Sequence, residues 1–289
     1  MSAAFDVIVC GSLHLDTIVN APALPRLDET AVGSSWAQVC GGKGGNQAVQ
    51  AARHGAKTAM IGRIGNDVFG QTLQRNLQTA KVDTNCVTTD AVLGSGMSVA
   101  ILQDNGEYGA VIVSGANATI DPAGLASSWA MLGSAKVLVL QNEVPHDVSV
   151  AAAAIAKQNG AIVVFNAAPA RELSEALIAN VDVLVVNRVE AETISGMTVT
   201  NRKSAIAALP SLGVERRSLV ITLGGGGLVV CPKSGLCVEI EACKVKVTST
   251  HGAGDCFVGV LAAELARGTT LITACHTANE SAAAFVSRI

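Results

Sequence analysis

Short runs of β-branched and leucine residues recur along the chain at 7–10, 58–61, 137–140, 162–165, 183–186 and 219–222. Alanine-rich stretches of helical length separate most of them, notably 45–54, 148–158, 205–212 and 255–265. Runs that are apolar on both sides belong to a sheet covered on both faces, and a helix between consecutive runs lets the strands lie parallel. The expected fold class is therefore α/β, with a mainly parallel sheet that binds ligands at the carboxyl ends of its strands.

Two regions break this rhythm. From about 18–37 and about 94–114 apolar and polar residues alternate around Pro, Gly and Asp104-Asn105-Gly106 turn signals, the pattern of antiparallel hairpins. Such hairpins would form a small sheet over the mouth of a single domain spanning 1–289. With 49% apolar and 15% charged residues the chain has ample material for a core, and its net charge of −3 provides no basic field for nucleic acid or an anionic membrane. Small molecules are the expected partners. The start of the chain has no basic segment followed by a long apolar run. The eight cysteines show no CxxC pair or zinc spacing, so they read as reduced thiols of a cytoplasmic protein.

The densest chemical signal is His251-Gly252-Ala253-Gly254-Asp255-Cys256-Phe257, after a strand-like run at 243–247 and before an apolar helix. Small residues at a helix start let successive backbone N–H groups converge on an anion, and Asp255 would stand beside it. A carboxylate there is electrostatically disfavoured unless it has a task, such as taking a hydroxyl proton. The alternative is a glycine-rich turn with an Asp cap.

Gly252-Ala253-Gly254-Asp255 resembles the C-terminal signature of the ribokinase-like (phosphofructokinase B type) carbohydrate kinase family. Gly41-Gly42-Lys43-Gly44-Gly45-Asn46-Gln47-Ala48 resembles the family's N-terminal signature. Gly65-Asn66-Asp67, Gly70, Gly115-Ala116-Asn117-Ala118, Gln141-Asn142-Glu143, Asn166 to Ala170, Asn187-Arg188-Val189-Glu190 and Thr222-Leu223-Gly224 follow in family order. The resemblance, which runs from about residue 7 to the end, implies a ribokinase-like three-layer α/β/α domain with a small β-sheet lid, and homodimerisation through that lid. It also implies a further C-terminal segment beyond 287–289.

Position by position, the resemblance implies that Asp16, Gly42, Lys43, Asn46 and Glu143 bind sugar hydroxyls; Asp16 as a turn cap and Lys43 as a solvated side chain are the alternatives. It implies that Asn187 and Glu190 hold Mg²⁺ through water, where a plain helix cap is the alternative. Thr222, Gly224, Gly225, Gly227, Asn187 and Asn279 would line the ATP site, although Asn279 alone is an ordinary polar helix residue. Asp255 would be the catalytic base, and the amides of Gly252, Ala253 and Gly254 would stabilise the transferring phosphoryl group.

Two positions depart from the pattern. Ser249 stands where a carboxylate usually helps hold an activating K⁺, and His14 stands where ribokinases carry Asn, among the residues that would touch the substrate. The implied acceptor is ribose, converted to ribose 5-phosphate, with another pentose, a ketohexose or a nucleoside as alternatives. A non-catalytic sugar-binding regulator on the same fold is a further alternative, which the intact Asp255 and Asn187/Glu190 pair argue against. A dinucleotide-binding dehydrogenase is disfavoured, because Cys10-Gly11-Ser12-Leu13 lacks the later glycines of GxGxxG.

Overall fold

The computed structural model describes residues 5–103, 105, 107–123 and 128–287. Asp104 and Gly106 of the expected turn, and residues 288–289, where a further segment is implied, lie outside the described residues.

The main sheet has nine strands in the order β13-β12-β11-β10-β9-β8-β1-β4-β5. These are β1 (Phe5–Cys10), β4 (Thr58–Gly65), β5 (Asp83–Asp90), β8 (Ala135–Gln141), β9 (Ile162–Asn166), β10 (Val183–Asn187), β11 (Ser218–Thr222), β12 (Leu228–Cys231) and β13 (Val238–Ile240). From β5 to β11 every pairing is parallel, whereas β12 and β13 are added antiparallel at one edge. Alternate residues of each strand enter two separate cores. Ile8, Cys10, Leu138, Leu140, Leu184 and Val186 pack beneath α4 (His146–Gln158), α6 (Arg188–Ser195) and α7 (Arg202–Ala208). Val7, Val9, Val137, Val139, Val183 and Val185 face α1 (Lys43–Arg53), α2 (Val68–Thr79), α8 (Ala253–Ala266) and α9 (Leu271–Val286). Short helices α3 (Trp129–Leu132) and α5 (Glu175–Ile178) complete the layers. The result is an α/β/α sandwich in which the period-two alternation of each strand feeds both cores.

The chain winds outward from β1 in one direction through β4 and β5, then in the other from β8 to β13. The strand order therefore reverses between β1 and β8, which places the residues after Cys10 beside those after Gln141. A crevice at the carboxyl ends of such strands is where this architecture binds ligands.

A second sheet of four strands, in the order β3-β2-β6-β7, comprises β2 (His14–Ala21), β3 (Ser35–Gly41), β6 (Gly96–Gln103) and β7 (Tyr108–Val113). The expected hairpins are antiparallel pairs, β2–β3 and β6–β7, fused through a parallel β2–β6 pairing. Because β2 follows β1 closely and β3 runs directly into α1, this sheet is tied to the reversal point.

Two expectations need correction. The run at 243–247 is not a strand: among the described residues no strand pairs with it beyond β13, and Lys244 to Val247 are exposed coil. Nor are all cysteines free, since the antiparallel return of β13 along β12 brings Cys231 and Cys237 to a Cα separation of 4.2 Å and they form a disulfide.

Candidate active site

Two helices begin at the crevice. The first, α1, starts after Gly42, whose φ of 80° is left-handed and where a Cβ would stand 2.8 Å from His14 N and 2.9 Å from Ser12 O. Only glycine satisfies both demands. The backbone N–H of Lys43 then donates to Glu143 Oε2 at 2.8 Å, and Ser12 Oγ donates to the same oxygen at 2.5 Å. His14 Nδ1 lies 4.0 Å from that oxygen. Glu143 thus puts a carboxylate on the positive end of α1. Asp16 stands nearby on β2, where its register partner Ser98 donates to Asp16 Oδ1 at 2.5 Å.

The second helix, α8, starts after Gly252, with φ 78° and no side-chain cap. Its third residue is Asp255. Asn46 Nδ2 donates to Asp255 Oδ2 and Gln47 Nε2 to Asp255 Oδ1, both at 3.0 Å. Burial pushes the Asp255 carboxyl above its ordinary value and the charge of Glu143 adds to this, while the Lys43 charge and the two amide donors oppose it. Burial likewise raises Glu190, with Asp255 adding and the Asn187 N–H and Lys43 opposing. Lys43 and these carboxylates therefore share one electrostatic neighbourhood. A carboxylate held in a cleft with a raised pKa is suited to accept a proton near neutrality.

On the other side of α8 opens a cleft of about 440 Å³. Asn187, Thr222, Gly224, Gly225, Gly227 and Asn279 all line it, as do Ala253 and Gly254 at the start of α8. The remaining wall is largely apolar, with Leu228, Val245, Val247 and Phe257. Asn279 Nδ2 donates to Glu241 O at 2.9 Å, which ties the coil after β13 to α9 and shapes that wall. Asn187 forms a capping box with Glu190: its N–H and Nδ2 donate to the Glu190 carboxylate and its Oδ1 accepts from Glu190 N. Ser249 Oγ accepts from the N–H of His251 at 3.2 Å.

The geometry gives contacts to motif residues for which the sequence offered no role. Gln47 Nε2 also donates to Asn166 Oδ1 at 3.0 Å, and Gln47 Oε1 accepts from Gln141 Nε2 at 2.7 Å. Asn117 accepts from Leu13 N and donates to Leu13 O, fixing the turn between β1 and β2. One signal in the sequence does mark several of these positions: β8, β9 and β10 are apolar runs that each end on a side-chain amide, buried at Gln141 and Asn166 and exposed at Asn187. Polar groups ending apolar strands gather at one edge of a parallel sheet.

Residues 4–289 match the family described as pfkB family carbohydrate kinase. The chain is similar to the ribokinase of Haemophilus influenzae, with 35% identity over 254 residues that cover 87% of this chain and 82% of that protein. It is also similar to the deoxyribokinase of Salmonella typhi, with 32% identity over 260 residues covering 89% of this chain and 84% of that protein. Among solved structures, the ribokinase of Cryptococcus neoformans in complex with ADP superposes with a TM-score of 0.83 at 27% identity, covering 98% of this chain and 94% of that one.

Proposed function

As a member of the pfkB family of carbohydrate kinases, this chain is a sugar kinase, and we propose that it transfers the γ-phosphoryl group of ATP to the primary hydroxyl of ribose. The observation that carries this reading is the position of Asp255. Side chains of α1, the helix beside Asp16 and Glu143, hold its carboxylate, while it belongs to the helix whose first residues line the apolar cleft.

In this reading His14, Asp16, Gly42, Lys43, Asn46 and Glu143 hold the sugar, and Asn187, Thr222, Gly224, Gly225, Gly227 and Asn279 surround the nucleotide. The ADP complex of the Cryptococcus neoformans ribokinase supports a nucleotide in this fold. Asp255 takes the proton of the attacking hydroxyl, and the amides from Gly252 to Asp255, which no side chain caps and of which Ala253 N–H makes a 3.3 Å bond to Thr250 O, face the charge that develops on the phosphoryl oxygens. Fixed donors aimed at that charge supply most of the acceleration in such transfers. The family implies Mg²⁺. Among the described residues no group of three or more His, Cys, Asp or Glu could cage a metal. One carboxylate, Glu190, beside the amide of Asn187 fits an ion that keeps most of its waters and is completed by phosphate oxygens. Bound there, the ion would neutralise phosphate charge.

We further read residues 1–289 as one kinase domain, cytoplasmic, in which the strands within 18–37 and 94–114 act as a lid. Trp36, Val111 and Val113 fall on one face of this sheet and are exposed there, which supports a homodimer through that face. No described helix is long and apolar enough to cross a membrane.

The test is ADP release from MgATP with ribose, 2-deoxyribose, other pentoses, ketohexoses and nucleosides. 2-Deoxyribose is included because the deoxyribokinase of Salmonella typhi is 32% identical. The panel is run with and without K⁺, because Ser249 offers a neutral hydroxyl where a carboxylate would hold that ion. Turnover on ribose above all other acceptors supports the reading. Faster turnover on another acceptor replaces ribose, and sugar binding without turnover points to a regulator.

A further inference from the structure

The side chain of Gln47 is fully buried, and both its amide hydrogens and its oxygen are hydrogen-bonded. One Nε2 hydrogen goes to Asp255 Oδ1 and the other to Asn166 Oδ1, both at 3.0 Å, and Oε1 accepts from Gln141 Nε2 at 2.7 Å. Gln141 is itself fully buried at the end of β8, and Asn166 is fixed by donation from its Nδ2 to Val185 O at 3.3 Å. An amide with both hydrogens directed at oxygen acceptors and its oxygen facing a donor cannot reverse without breaking all three bonds. Its orientation is therefore set by the ends of two strands of the main sheet.

The other oxygen of Asp255 is held differently. Asn46 Nδ2 donates to Oδ2 at 3.0 Å, but Asn46 is only partly buried and this is its one side-chain hydrogen bond among the described residues. Asn46 also stands among the residues proposed to bind the sugar, so it can turn towards an entering hydroxyl.

We propose that Gln47 is a positioning residue which grips Asp255 permanently by Oδ1, so that Oδ2 is the oxygen that receives the proton from the acceptor hydroxyl. The inference rests on the kinase reading for the word proton, but not for the grip. As the hydroxyl oxygen bonds to the γ-phosphorus and the bond to the β-phosphate oxygen breaks, its proton passes to the free lone pair of Oδ2. The pair then separates as sugar phosphate and ADP, and the proton is lost to solvent. A carboxylate pinned at one oxygen presents the other at a fixed distance and angle, which a freely rotating carboxylate does not. Gln141 and Asn166 act through Gln47. The charged groups that also act on Asp255 are Lys43 from α1, Glu143 from the end of β8 and Glu190 from α6.

The test compares wild type with Gln47→Met, which keeps the volume and removes the donor, by ¹³C NMR titration of the Asp255 carboxyl, assigned with Asp255→Asn. Loss of a hydrogen bond to the charged form should raise the midpoint by about one pH unit. The acid limb of kcat/KM should move up by the same amount while KM for ATP is unchanged. A midpoint that stays in place overturns the proposal, because a merely structural Gln47 would lower stability without moving it. Should Gln47→Met not fold, Gln141→Leu frees Gln47 instead and should give a smaller shift in the same direction, with no shift again overturning it. Absence of ADP release by wild type on every acceptor would sink the kinase reading but leave the carboxyl midpoint able to judge the grip.

Discussion

Helices α1 and α8 both start with a left-handed glycine beside the same crevice, yet they treat their positive ends in opposite ways. The start of α1 is closed by the protein's own anion, Glu143, which takes the Lys43 N–H and the Ser12 hydroxyl. The start of α8 has no side-chain cap and opens on the apolar cleft. A helix N-terminus left without a cap leaves amides unsatisfied unless water or a ligand's anion meets them. In the proposed reading the pair teaches how one motif would serve two substrates: at α1 the charge orders a carboxylate that would accept sugar hydroxyls, and at α8 it would meet phosphate. Asp255 joins the two, since it is on α8 and its donors are on α1.

The harshest way to break the comparison is Asp255→Asn. Loss of the base should lower kcat by about 10²–10⁴-fold, with MgATP binding by calorimetry retained. If ATP binding vanished as well, the start of α8 could not be an anion site independent of that carboxylate. The two glycines come next. Gly42→Ala puts a Cβ against backbone atoms of Ser12 and His14 as well as straining φ, so a loss of about 2–5 kcal/mol in urea unfolding is expected. Gly252→Ala meets only the Phe285 ring, at 3.3 Å, and should cost about 1–2 kcal/mol. Equal losses at both positions would remove the claim that the α1 start is the more tightly built of the two.

Glu143→Ala probes the closed end directly. Removing an anion that takes two donors should weaken sugar binding by about 1.5–3 kcal/mol, read as KM for the sugar, with KM for ATP unchanged. The sign of its pH effect also follows. The charge of Glu143 raises Asp255, so its removal lets Asp255 ionise at lower pH, and the acid limb of kcat should move down. That is opposite to the shift expected for Gln47→Met, and the two variants together separate a repelling charge from a donating amide.

How much of this was legible depended on whether a residue's meaning is local. The βα rhythm shows through because each strand is apolar on both faces, and the run from Gly252 to Asp255 stands out because consecutive small residues before an apolar helix are unusual. The Gln47, Gln141, Asn166 and Asp255 cluster is spread over the chain, and each member is a single polar residue whose partner is fixed only by the order in which the strands assemble. The coil at 243–247 misled for the converse reason. Its alternation of Lys and Val satisfies the period of a strand, but β13 ends at Ile240 and among the described residues no strand pairs beyond it. Periodicity reports a preference, and pairing decides the outcome. Cys231 and Cys237 likewise become neighbours only through the β12–β13 return.

The smallest expected effect concerns Asn187, where cap and ligand roles coincide. Asn187→Ala removes the bond from Glu190 N and the donor to Glu190 Oε1, a cap loss of about 1 kcal/mol. If Asn187 is only a cap, that loss should be the same in the melting of the free protein and of its MgATP complex. A role in holding the hydrated ion predicts a larger loss in the complex, and a higher Mg²⁺ concentration at half-maximal rate. Glu190 is informative here because burial already raises its pKa while Asn187 partly offsets this. A bound cation would favour the ionised carboxylate further, so protection by MgATP should weaken as pH falls through the raised value of Glu190. Equal losses in both states, with an unchanged Mg²⁺ requirement, would leave the capping box as the whole function of the pair and move the ion to the phosphates and α8 alone.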